Sequence, residues 1–254
     1  MKYLLLLILA SACTISLSAQ TTFEVTARNG LILRDAPRSQ GKRIGKLPYG
    51  KPIEVLERTG VEQIIIDGTD TIRGEWVKVQ FENFPTRISE FKEGYVFSGY
   101  LISKDLHVQQ LQRKIDRFPL FKGYTIVRDR LQYHIRGDFF GDGTEDLAVL
   151  VQDAEQRIKV GFINYGKKDQ PLIMGPHNTA FEMNDYDWIG VFESVTRGEV
   201  LWSNYVDDFR DFEEVPANEK VTLPYEAMFM HVSEACGGGF VYWKEEKFHW
   251  LQQE

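Results

Sequence analysis

Between positions 23 and 103 apolar and polar residues alternate in short runs broken by glycine. Glu24 to Leu33 reads as strands around Gly30, and Ile53-Glu54-Val55-Leu56 has the period of two that marks a half-buried strand. Val61 to Ile66, then Asp67-Gly68, then Ile72 to Val79, predicts a hairpin, because Asp-Gly adopts the positive φ angles of a tight primed turn. From Ser103 the period lengthens: Val108, Leu111, Ile115 and Phe118 share one face, and Asp105 stands near the positive end of the dipole, so a helix is expected to about Arg117. From Tyr124 onward the chain is strand-rich, with strands expected over Ile126 to Phe139, Leu147 to Val151, Ile158 to Tyr165 and Ala227 to Val232. A last hairpin joins Phe240–Trp243 to Phe248–Leu251 through Lys244-Glu245-Glu246-Lys247. No repeat of fixed period is present, which leaves a solenoid or propeller without support. The expected fold class is mainly β: a first domain over residues 23–103, a helical linker over 104–123 that joins or begins the next unit, and a strand-rich domain over 124–254.

The N-terminus has a different pattern. Lys2, the apolar run Leu4 to Ala10 and the small residues ending in Leu17-Ser18-Ala19 predict a signal peptide over residues 1–19, cleaved after Ala19. A periplasmic or secreted protein is the consequence. Lipoprotein anchoring through Cys13 is the competing reading, against which Ala10 stands where such signals usually carry leucine. No later stretch approaches the ~20 apolar residues of a membrane span, so no transmembrane segment is expected. Cleavage would remove one lysine and no acid, making the formal charge of −7 more negative by one. Nucleic acid is therefore not an expected partner, since phosphate binding needs a basic footprint. Cys236 would be the one cysteine left, so the fold relies on its core and not on an internal disulfide.

Four glycine-marked segments carry a resemblance. Gly30-Leu31-Ile32-Leu33-Arg34, Gly45-Lys46-Leu47-Pro48-Tyr49-Gly50, Gly74-Glu75-Trp76-Val77-Lys78-Val79 and Gly94-Tyr95-Val96-Phe97-Ser98-Gly99-Tyr100-Leu101 together resemble a bacterial SH3-like (SH3b) domain. The resemblance implies a small β-barrel used outside the cytoplasm as a binding module, with the Val61–Val79 hairpin and Phe81–Glu93 as enlargements.

Few residues point to chemistry. In Asp138-Phe139-Phe140-Gly141-Asp142-Gly143-Thr144-Glu145-Asp146, the residues Asp138, Asp142, Gly143 and Asp146 fall at positions one, five, six and nine of a calcium loop. Position three is Phe140 and position twelve is Val149, neither of which supplies a carboxylate, so the expectation is an acidic turn capping backbone amides, with at most weak calcium binding. Cys236 precedes a glycine run, but only His249 follows it as a base, and a small buried thiol is expected. His107, His134, His177, His231 and His249 show no metal-ligand spacing and read as surface or partly packed side chains. Asp207, Asp208, Asp211, Glu213 and Glu214 read as a solvated acidic loop, although paired carboxylates also serve glycoside hydrolysis.

One stretch runs against the acidic balance. From Arg28 to Lys51 there are seven cations, among them Arg38, Lys42 and Arg43, and a single acid, Asp35. Such a stretch suits contact with carboxylates, including those of peptidoglycan stem peptides, or docking on the acidic Asp207–Glu214 segment; an ordinary solvated face is the third reading. Tyr49 and Tyr100 are expected at a ligand surface and Trp76 in the core. The expected function is non-enzymatic binding of peptidoglycan or an envelope protein, with no cofactor. An envelope hydrolase with its site in residues 124–254, or an accessory subunit of an envelope enzyme, is the alternative.

Overall fold

The computed structural model describes residues 22–83, 90–204, 208–233 and 236–253, so the signal peptide expected over residues 1–19 lies outside the described residues. The first domain consists of β1 (Thr22–Val25), β2 (Leu31–Arg34), β3 (Arg43–Leu47), β4 (Pro52–Asp67), β5 (Asp70–Asn83), β6 (Glu90–Phe97) and β7 (Leu101–Ser103). They pair in the order β3-β2-β6-β5-β4-β1-β7. Alternate residues face inward, and Leu31, Leu33, Val77, Val79, Val96 and Ile53 close an SH3-type barrel around one apolar core.

Trp76 is buried, 4% exposed, but on the face opposite that core, because it neighbours the inward Val77 on β5. It packs against Phe97, with ring centroids 6.2 Å apart, and its Nε1 donates to Gln63 Oε1 at 2.8 Å. Gln63 belongs to an arm formed by the far ends of β4 and β5, paired to the Asp67–Asp70 turn, where Gly68 takes a φ of 59°. The expected hairpin enlargement is thus paired strand and not loop. The arm crosses the barrel at a tight point: a Cβ on Gly74 would lie 2.5 Å from the backbone nitrogen of Gly99.

Helix α1 (Lys104–Ile115) follows at the junction, with Val108, Leu111 and Ile115 buried as the periodicity requires. The same face buries His107, which the apolar pattern alone does not reveal. Beyond it come β8 (Thr125–Ile126), β9 (His134–Gly137), β10 (Asp146–Gln152), β11 (Ile158–Asn164) and β12 (Gln170–Ile173). A further set consists of β13 (Val191–Val195), β14 (Val200–Leu201), β15 (Val221–Thr222), β16 (Ala227–His231), β17 (Gly238–Lys244) and β18 (Lys247–Gln253). The expected strand from Ile126 to Phe139 is two strands with a loop between, and β12 to β15 are too short or too polar to stand out in the sequence.

The second domain has three layers. The sheet β12-β11-β10-β8, with β9 also on β10, lies between α1 and the sheet β13-β16-β17-β18. Leu147, Val149 and Val151 of β10 face the helix, while Ala148 and Leu150 face the other sheet and meet Phe162, Met230 and Phe248. Burial on both faces explains the unbroken apolar run in this strand. The β17–β18 hairpin turns at Glu245 and Glu246, both at positive φ (52° and 63°), as a two-residue primed turn demands. Among the described residues no helix is long and apolar enough to cross a membrane.

Candidate binding cleft and the polar cluster behind it

Strand β3 ends at Leu47, and the chain turns through Pro48-Tyr49-Gly50 into β4. This turn faces the second domain. Between them lies a cleft of about 670 Å³, lined on the barrel side by Arg28, Lys46, Tyr49 and Lys51 and on the other by Arg136 and Glu193. The guanidinium of Arg136 lies 5.1 Å from the Tyr49 ring centroid and bonds Glu145 Oε2 at 3.1 Å. Three cations of the Arg28–Lys51 stretch thus converge on one concavity beside an aromatic ring.

The other basic residues are placed elsewhere. Arg38, Lys42 and Arg43 are exposed around the β2–β3 connection, where Lys42 N bonds Asp35 Oδ1 at 2.8 Å, and none lines the cleft. Tyr100 is apart from Tyr49: its hydroxyl donates to Asp67 Oδ2 at 2.8 Å and its ring packs on Phe97. Burial and the Asp67 contact push that hydroxyl up to about 12. The acidic segment makes its own cap between Asp211 and Glu214, and Asp207 lies outside the described residues.

Behind Tyr49 the two domains meet through buried polar groups. Glu24 of β1 is 0% exposed, and its Oε2 accepts from the Tyr133 hydroxyl at 3.0 Å and lies 2.6 Å from His107 Nδ1. His107 Nε2 lies 3.4 Å from the Tyr49 hydroxyl. His134, also 0% exposed, stands edge-on to His107 with ring centroids 4.6 Å apart. Neither of its ring nitrogens has a protein hydrogen-bond partner, and neither does Glu24 Oε1. Burial, with the charges of His107, Arg136 and Lys104, drives His134 well below the ordinary imidazole range and keeps it neutral. Burial together with Glu24 keeps the Tyr133 hydroxyl protonated. Glu24, His107 and His134 each offer one metal-ligating atom, and these atoms lie within 4.8 Å of one another. The expectation of surface or partly packed histidines is therefore wrong for these two. Their sequence separation hides the grouping, although His107 does fall on the apolar face of α1.

The turn from Asp138 to Asp146 uses its carboxylates locally. Asp138 accepts from the amides of Asp142 and Gly143 at 3.0 Å each, and Asp142 from Thr144 at 3.1 Å. Asp146 accepts from Phe139 and Tyr165 at 3.1 and 3.2 Å. Calcium would compete with five backbone amides for these oxygens. Asp146 is fully buried, and that burial, with Asp142 nearby, pushes its carboxyl up to about 7. The folded state then binds the extra proton between about pH 4 and 7, so this group makes stability fall as pH rises through that window. Relative to Asp146→Asn, the wild type should lose about 2 kcal/mol between pH 4 and 8 in urea unfolding, the two amides limiting the effect. A constant difference across that range would contradict the assignment.

Cys236 is exposed and unpaired, contrary to the expected buried thiol. It precedes β17, whose buried positions begin at Gly238, and the intervening Gly237 takes a φ of 127°. The glycines pack, and the thiol stays outside.

The cleft beside the barrel thus joins the Tyr49 ring to cations from both halves of the chain and to carboxylates from the second. Residues 29–102 match the family model of the bacterial SH3 domain. The barrel described above extends past this match to include β1 and the end of β7. No curated protein and no solved structure gives a significant match.

Proposed function

We propose that the protein is a non-enzymatic binder of the bacterial cell envelope that holds a carboxylate-bearing ligand, of which peptidoglycan stem peptides are the model, in the cleft between its domains. The observation that carries this reading is the convergence of Arg28, Lys46, Lys51 and the Tyr49 ring on that cleft. Cations with an adjacent aromatic face suit carboxylates on an apolar stem. The match of residues 29–102 to the bacterial SH3 domain supports a binding role, and the signal-peptide pattern of residues 1–19 supports an extracytoplasmic one. Arg38, Lys42 and Arg43, exposed and outside the cleft, act on encounter and not on the bound state.

Purified sacculi and the full chain test both parts. Reversing Arg28, Lys46 and Lys51 to glutamate should weaken binding at least about tenfold, mainly by faster release. Reversing Arg38, Lys42 and Arg43 should slow association at low salt and matter little at about 0.5 M, where the screening length is roughly 4 Å. Unchanged binding in the cleft variant would refute the cleft as the site. Wild-type protein that ignores sacculi but captures an envelope protein would transfer the reading to a protein ligand.

A further inference from the structure

The buried cluster behind the cleft has a chemistry that ligand capture does not use. We infer that Glu24, His107 and His134 form a binding site for a divalent transition-metal ion of the zinc type, placed where the barrel meets the second domain. Each side chain comes from a different element: Glu24 from β1, His107 from α1 and His134 from β9. Two imidazoles and a carboxylate are a borderline-soft donor set that suits zinc and its neighbours, not calcium or magnesium.

Three observations support the assignment. The ligand atoms lie within 4.8 Å of one another, and a four-coordinate zinc with bonds of about 2.0–2.1 Å spaces its donors by roughly 3.3 Å. Binding therefore needs a contraction of at most about 1.5 Å at the widest pair and a small opening of the 2.6 Å contact between His107 and Glu24. Second, the protein leaves Glu24 Oε1 and both His134 ring nitrogens unpartnered although both residues are fully buried. Buried polar atoms without partners are uncommon, and a cation supplies the acceptor of lone pairs that the surrounding chain does not. Third, the surroundings support the donors. Tyr133 holds the other oxygen of Glu24 at 3.0 Å, the outer-sphere contact that orients a ligating carboxylate. The Tyr49 hydroxyl lies 3.4 Å from His107 Nε2, the ring nitrogen away from Glu24, where it can help orient the imidazole. The nearby cations are already engaged: Lys104 Nζ donates to Arg130 O at 2.6 Å, and Arg136 pairs with Glu145.

The test uses the full chain without an affinity tag, stripped with chelator and then dialysed against zinc chloride or cobalt chloride. One metal per chain is expected, and the cobalt form should show the intense visible absorption of a four-coordinate ion with two imidazole ligands. His134→Gln should weaken zinc binding by at least about 100-fold and abolish the zinc-dependent rise in melting temperature. Glu24→Gln, which keeps the shape of the side chain, should weaken it by about tenfold or more and serves if the histidine variant fails to fold. The exposed His177→Gln should bind zinc as the wild type does. Folded wild-type protein that takes up neither ion in stoichiometric amount would overturn the site and leave the cluster as a hydrated polar contact. Equal zinc affinity in wild type and His134→Gln would overturn it too, by placing the metal elsewhere.

Discussion

Trp76→Ala should lower the unfolding free energy by about 3 kcal/mol, measured by urea denaturation of the full chain. The indole is 4% exposed, packs on Phe97 and closes the gap between the β4–β5 arm and the barrel. Truncation leaves a cavity at that joint and strips Gln63 Oε1 of the Nε1 donor that holds it. Because Trp76 lies on the face opposite the barrel core, the arm should loosen before the barrel opens. Hydrogen exchange should therefore rise first in residues 58–75. Trp76→Phe, which keeps the ring but loses the donor, should recover about half of the loss. A loss below about 1 kcal/mol in the alanine variant would mean that the indole is not buried at this joint.

Glu24→Ala should cost about 3–5 kcal/mol in chelator-treated protein, more than any exposed charge in the molecule. The carboxylate is the shared partner of His107 and Tyr133, and its removal strands both inside the interface between the domains. It also supports the charge of Lys104, whose ammonium burial otherwise pushes downward in pKa. Glu24→Gln retains an acceptor for Tyr133 and should cost roughly half as much. Chelator is needed in both measurements so that a bound ion does not add its own stabilisation. Equal stabilities of wild type and Glu24→Ala would show that these groups are hydrated and not shut between the two domains.

What the sequence revealed and what it hid follow from the range of the interactions concerned. The Asp67-Gly68 hairpin, the buried face of α1 and the turn at Glu245-Glu246 depend on neighbours within a few positions, so periodicity and turn residues were enough to find them. The apolar run of β10 was likewise visible. The union of Glu24, His107 and His134 was not, because the contact from Glu24 to His107 spans 83 positions and no spacing rule covers it. His134 lies between Tyr133 and Ile135, both buried as well, which is a local arrangement that simple strand alternation does not predict. The basic stretch was visible as composition, but only the fold divides it: Arg28, Lys46 and Lys51 line the cleft, while Arg38, Lys42 and Arg43 do not. Trp76 shows the same limit, since burial followed from its type and its side of the strand did not.

Strand β1 also imposes a timetable on folding. It lies between β4 and β7, and its carboxylate meets Tyr133, 109 positions later in the chain. At synthesis rates of about 5–20 residues per second, roughly 5–20 s separate the appearance of Glu24 from that of its last partner. Until His107 and Tyr133 are both available, burial of the strand would leave the carboxylate short of its partners, so one side of β4 is expected to stay unpaired. Strand β1 should thus be the last of its barrel to settle, and a chain stopped short of Tyr133 should expose a sticky edge on β4, which aggregation of such truncations would reveal.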